Sequence, residues 1–139
     1  MKRYIIYLLF LIAFCNCEDD DMVKKETGMR NDFQEQTTAG IYQGGTAMAR
    51  YEAEQHQLAY TDDLKSWHIQ TDDRTFLLSC RLNDKAETDK IVTVSVKAKG
   101  IQGLEDFERR GYVLKMENHR CWVWMPETNT GIILQFNNQ

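Results

Sequence analysis

The sequence lacks any apolar run long enough to remain in a membrane as a spanning helix. Its longest run, residues 4–14 (YIIYLLFLIAF), would measure about 16 Å as a helix. The hydrocarbon core of a bilayer is about 30 Å thick. Because Lys2 and Arg3 precede the run, the stretch is typical of a signal peptide that is removed from the mature protein.

The sequence also has little positive charge, with 17 Lys and Arg against 21 Asp and Glu and a formal net charge of −4. Loss of the signal peptide removes Lys2 and Arg3 but no acid, so the mature chain is more acidic still. Binding to nucleic-acid phosphates depends on clustered Lys and Arg. We therefore expect no nucleic-acid partner.

Motifs of catalytic, metal and cofactor sites are missing as well. The three histidines, His56, His68 and His119, show neither HxxH nor HExxH spacing, and no cysteine pair lies near them. A zinc site needs ligands that converge. No serine after the signal peptide lies in a GxSxG motif, where a nucleophile would be exposed. We therefore predict a protein that is not an enzyme and has neither metal nor cofactor.

Two copies of the tripeptide TDD, at residues 61–63 and 71–73, are candidate metal ligands. A calcium loop needs oxygen ligands at alternate positions, a glycine and a distant acid, which neither copy offers. Aspartate also favours turns, because its side chain accepts hydrogen bonds from backbone amides two residues on. The two copies therefore predict turns on either side of a strand.

The apolar run ends in Cys15-Asn16-Cys17, and four acids follow directly at residues 18–21. This arrangement resembles the bacterial lipoprotein signal peptide, in which the cysteine after the apolar run is lipidated and becomes the mature N-terminus. The resemblance implies a signal peptide over residues 1–16 and lipidation of Cys17, with Cys15 as the alternative. We favour Cys17 because the acidic run then begins directly after the lipidated residue.

The acidic run resembles the surface-export signal of Bacteroidetes lipoproteins. This resemblance implies an outer-membrane protein that is held by its lipid and faces the cell exterior; the alternative location is the periplasmic face. Stable anchoring requires more than one acyl chain, as in bacterial lipoproteins. The membrane is thus an expected partner through the N-terminal lipid.

The segment over residues 17–39 is polar, charged and without apolar periodicity. Such a segment buries too little apolar surface to order itself. We therefore expect a flexible tether there, followed by a single β-rich domain over residues 40–139.

Alternating apolar residues over 75–82 and 91–98 predict two half-buried strands. Shorter runs after them predict a meander of three more, over residues 112–116, 120–125 and 131–136. The fold class is therefore mainly β, as a small antiparallel β-sandwich or an open barrel. Leu104 and Phe107 lie three residues apart between early acids and late arginines, which predicts a short helical turn near residues 103–110.

Residues 46–60 (TAMARYEAEQHQLAY) are open to two interpretations. Their good helix formers favour a helix over residues 46–58 packed on an antiparallel sheet, which would make the fold α+β. The alternative is a hairpin, with strands over residues 47–53 and 58–60 and a turn at residues 55–57.

Cys80 and Cys121 are the cysteines that remain beyond Cys17. Export favours a disulfide between them. The alternative is two buried free thiols that pack as small apolar side chains. The sequence does not show whether their strands are neighbours, so both interpretations stand.

The segment 121–125 (CWVWM) is apolar on both faces, with Trp122 and Trp124 on one of them. One interpretation is a central strand buried on both sides. The other is an exposed tryptophan pair that stacks on a sugar ring or a protein surface. We expect a non-enzymatic module that binds a protein or a glycan. The alternative function is an inhibitor or immunity-type lipoprotein that neutralises a toxin or protease in the envelope.

Overall fold

The computed structural model describes residues 27–61 and 63–136. The predicted signal peptide, Cys15, Cys17 and the acidic run lie outside the described residues. Residues 27–34 are helical. The remaining elements within the described ranges are nine strands: β1 (Gly40–Gln43), β2 (Thr46–Arg50), β3 (Gln57–Tyr60), β4 (Ser66–Gln70), β5 (Leu77–Leu82), β6 (Ile91–Lys99), β7 (Phe107–Glu117), β8 (Arg120–Met125) and β9 (Thr130–Gln135).

All nine strands belong to one antiparallel sheet with the order β2-β1-β9-β8-β7-β6-β5-β4-β3. Strands β3 to β9 form a continuous meander, and the hairpin of β1 and β2 joins it through β9. The edge strands β2 and β3 are consecutive in the chain and are joined by residues 51–56. Because this short connection limits their separation, the two edges of the sheet are drawn toward each other.

The sheet curls so that its inner face encloses the main core. Strand β4 contacts β9, although four strands lie between them in the sheet. Buried side chains from eight of the nine strands form the inner face, among them Ile41, Ala49, Trp67, Leu78, Val94, Val113, Val123 and Ile132. The mainly β prediction is therefore confirmed, with one open curled sheet rather than a two-layer sandwich.

The outer face of the sheet is covered by the helix over residues 27–34. Phe33 is fully buried and packs with Tyr42, Trp122, Trp124 and Ile133 in a second apolar cluster. The expected flexible tether is therefore wrong over residues 27–39, which pack on the sheet. Apolar burial by Phe33, four residues after the partly buried Met29, offsets the entropy of ordering this otherwise polar segment.

Close approach of the helix to the sheet depends on Gly131 of β9. A Cβ atom at this position would lie 2.4 Å from Cε1 of the Phe33 ring. The missing side chain therefore leaves the space in which the phenylalanine ring lies.

Two further expectations over the described residues are corrected. The helical turn predicted near residues 103–110 is absent there, because Phe107–Arg110 already pair with Thr93–Val96 of β6. The helix proposed over residues 46–58 is also wrong. Those residues contribute β2 and β3, which are the two opposite edges of the sheet rather than partners in a hairpin.

None of the helical residues in the described ranges forms a helix of the length and apolarity that crossing a membrane would require.

Replacement of Phe33 by alanine tests whether the helix stabilises the domain. We expect Phe33→Ala to lower the free energy of unfolding by about 3 kcal/mol, because it opens a cavity beneath the helix. Urea denaturation measures the change. The control is Asn31→Ala, since Asn31 is exposed on the same helix and should shift the midpoint little. Equal stability of the Phe33→Ala variant and the parent chain would contradict the packing described above.

Candidate functional site

Both TDD segments form turns whose aspartates accept hydrogen bonds from their own loop. Asp73 accepts from the Thr75 amide at 3.1 Å and from the Thr71 hydroxyl at 2.8 Å. Asp63 accepts in the same way from the Lys65 amide at 3.1 Å and from the Thr61 hydroxyl. These donors hold the pKa of both carboxyl groups below the usual value. The predicted turns on either side of β4 are confirmed.

The three histidines singled out in the sequence lie in separate parts of the structure. His56 accepts a hydrogen bond from the Glu52 amide at 3.2 Å and packs its ring on Phe76. His68 lies on β4 and His119 in the turn between β7 and β8. Within residues 27–61 and 63–136, no cluster of three or more His, Cys, Asp or Glu side chains could hold a metal ion.

Cys80 and Cys121 are both buried on the inner face and both are free thiols. They lie on β5 and β8, which are separated in the sheet by β6 and β7. Three spacings between strands amount to roughly 14 Å along the sheet, whereas a disulfide needs Cα atoms within about 7 Å. The disulfide alternative is therefore wrong. Burial raises the pKa of the Cys80 thiol and raises that of Cys121 to about 12.

Burial of these two thiols predicts that they are unreactive in the folded protein. We expect neither Cys80 nor Cys121 to react with iodoacetamide in the folded protein at neutral pH, because the reactive thiolate is disfavoured and inaccessible. Both should react once the chain is unfolded in urea without reductant. Mass spectrometry of the two tryptic peptides measures the labelling. Peptides that stay linked until a reductant is added would reveal a disulfide and contradict the structure.

The tryptophan pair of β8 lies beneath the helix on the outer face. Trp122 and Trp124 are 2% and 1% exposed. The Trp122 indole donates to the Gln36 carbonyl at 2.9 Å, and Lys115 lies 4.3 Å from the centre of its ring. Trp124 stacks on Phe33 with ring centres 5.6 Å apart. The strand is thus buried on both sides, and the pair is not an open stacking platform.

A cleft of about 670 Å³ opens at one end of the curled sheet, where β7 and β9 begin and β1 ends. We call it the polar cleft. Its walls come from distant parts of the chain: Gln43, Met48, Ile101, Gly103, Leu104, Glu105, Asp106, Phe107, Arg109, Thr128 and Thr130. Clefts of this size are typical of sites for small ligands.

Arg109 is the cationic group of the polar cleft. It lies opposite Val94 in the register of β6 and β7, which places it on the inner face. Its guanidinium lies 4.2 Å from the centre of the Phe107 ring and donates to the Thr128 hydroxyl at 3.1 Å. A guanidinium has five N–H donors, so this one is held in position with donors left over for a ligand.

The loop before β9 fixes the other polar groups of the cleft. The Gln43 side-chain amide donates to the Thr128 carbonyl at 2.9 Å, and the hydroxyls of Thr128 and Thr130 lie 3.0 Å apart. Asp106 accepts from the Ala98 amide at 2.9 Å, which uses one of its carboxylate oxygens. Donors, acceptors and apolar walls therefore share one cleft whose polar side chains are already oriented.

Sequence reasoning did not identify the polar cleft. Residues 103–110 were expected to be helical, which would have turned Arg109 and Phe107 to different sides. Only the pairing of β7 with β6 places both on the inner face. Gln43 and Thr128 are far apart in the chain and carry no local signal of their proximity.

A second depression, of about 410 Å³, lies on the outer face beside the helix. We call it the outer groove. It is lined by Arg30, Tyr112, Leu114, Trp124 and Pro126. Among the described residues, the buried indole nitrogen of Trp124 has no hydrogen-bond partner.

No protein-family model, curated protein or solved structure is significantly similar to this chain. Functional inference therefore depends on the residues and their geometry.

Proposed function

We propose that this chain is a lipid-anchored protein of the cell envelope whose domain faces the cell exterior and binds a glycan in the polar cleft without catalysing a reaction. The polar cleft is the observation that carries the binding proposal. The N-terminal resemblance to exported lipoproteins supports the anchor and the location.

The chemistry of the polar cleft suits a ligand rich in hydroxyl groups. Each sugar hydroxyl is both a donor and an acceptor, so its binding requires both kinds of partner. Arg109 and Gln43 supply donors, whereas Glu105 and Asp106 supply acceptors. Met48 and Leu104 offer apolar walls for the carbon faces of a ring.

A second candidate function is an inhibitor or immunity-type lipoprotein that neutralises a toxin or protease in the envelope. The outer groove favours this candidate, because it combines aromatic and apolar side chains with one arginine, and such residues are enriched in protein–protein interfaces. A protein partner and a glycan would then use different sides of the domain.

The anchor is tested by the cysteine that carries it. We expect Cys17→Ala to abolish incorporation of labelled palmitate, whereas Cys15→Ala retains it, because the resemblance places lipid on Cys17. Metabolic labelling and gel autoradiography measure this. Protease treatment of intact cells should also degrade the domain of the parent protein. Absence of lipid from the parent protein would contradict the anchor, and lipid on the Cys17→Ala variant would contradict the choice of Cys17 over Cys15. Protection of the domain until lysis would contradict the location.

Substitution of Arg109 tests whether the polar cleft binds a glycan. We expect the purified protein to bind members of a glycan array, and Arg109→Gln to weaken that binding about tenfold or more, since hydrogen bonds from a charged donor are the stronger ones. Surface plasmon resonance with the bound glycan measures the change.

Lys97→Gln is the matched control for this experiment. Lys97 is exposed on β6 and does not line the polar cleft, so its loss should leave glycan affinity unchanged. Binding that is insensitive to Arg109→Gln, or the absence of any bound glycan, would overturn the assignment of the cleft.

A further inference from the structure

We infer that the outer groove is a docking site for a protein segment that carries an apolar side chain next to a carboxylate. The groove shares no lining residue with the polar cleft. The inference is therefore independent of glycan binding.

Apart from Arg30, the residues that line the outer groove are apolar or aromatic, and they continue into an exposed patch. Tyr112 lies opposite both Trp124 and Ile91 in the register of the sheet, so the three side chains form a row on the outer face. Tyr112 is 38% exposed and Ile91 is 55% exposed, which is unusual for large apolar side chains in this domain. An apolar patch of this kind marks a contact surface.

Trp124 lines the groove, but its indole nitrogen does not reach the surface. Its nitrogen is buried and has no hydrogen-bond partner among the described residues. A buried donor without a partner destabilises the free protein. Because this nitrogen is inaccessible, a docked segment would contact the Trp124 ring and the exposed Tyr112 and Ile91 side chains rather than the indole N–H group.

The charge at the groove selects the partner. Arg30 is the charged side chain of the described lining, and Arg110 lies two residues before Tyr112 on the same face of β7. Neither arginine forms a salt bridge with another residue of the described ranges. On a chain of net charge −4, these free cations favour a carboxylate in the docked segment.

The test is a selection of peptides from a displayed library of random linear sequences on the immobilised full-length protein. We expect the enriched peptides to pair an aromatic or aliphatic residue with Asp or Glu. Synthetic versions of them should bind the Arg30→Gln and Tyr112→Ser variants about tenfold more weakly.

Two control variants separate this site from the rest of the surface. Arg81→Gln removes an exposed cation on β5, away from the groove, and Arg109→Gln alters the polar cleft. Both should bind the selected peptides as the parent does. Thermal melts identify any groove variant that has lost its fold, and such a variant is replaced by Leu114→Ser.

Three results would overturn the inference. The enriched peptides could lack acidic residues, or they could bind every groove variant as tightly as they bind the parent. Their binding could also be weakened by Arg109→Gln and by no groove substitution. Analytical ultracentrifugation could instead show a dimer that the Tyr112→Ser substitution dissociates. The groove would then bind a second copy of the chain, which would also overturn the inference. None of these outcomes depends on whether the polar cleft binds a glycan.

Discussion

The structure depends on covering strand β8, which is apolar on both faces. Cys121, Val123 and Met125 point to the inner face, whereas Trp122 and Trp124 point to the outer one. A single sheet that curls on itself buries one face of such a strand and leaves the other in water. The helix over residues 27–34 covers the second face, and the Phe33 ring makes that cover possible by lying in the space left by Gly131. Two layers thus form around one strand.

The outer groove and the polar cleft both lie at the border of a buried apolar region. The helix and the residues just after it bury Trp124 and Trp122, but they do not extend over Tyr112 and Ile91. The outer groove is the boundary between the covered and the uncovered part of the outer face. On the inner side, the apolar core gives way to Thr128, Thr130 and Arg109 at the open end of the sheet. The polar cleft therefore occupies the end of the curl, where water reaches the inner face.

Much of the secondary structure was predictable because its causes are local. The period of two over residues 91–98 matches β6, and residues 120–125 match β8. The TDD turns followed from hydrogen bonds within single loops. The error at residues 103–110 has a different origin. Leu104 and Phe107 have the spacing of a helix, but the long strand β6 offers backbone partners from Val96 to Thr93. Pairing with this preceding strand satisfied the backbone of Phe107–Arg110, and the pattern within residues 103–110 does not report it.

The sequence by itself determined the mainly β class, most strand positions, the two turns and the resemblance of the N-terminus to exported lipoproteins. Each of these features depends on residues close together in the chain. Only the tertiary structure decided that β2 and β3 are opposite edges, that Cys80 and Cys121 lie on separated strands, and that the tryptophan pair is covered. These outcomes depend on which distant segments come into contact. Local sequence patterns do not report such contacts, because the free energy gained by burying apolar surface does not depend on how far apart two residues are in the chain. Phe33 illustrates the reason. Its own segment is mostly polar, and its ring is buried only because Gly131, far away in the chain, leaves space for it on the sheet.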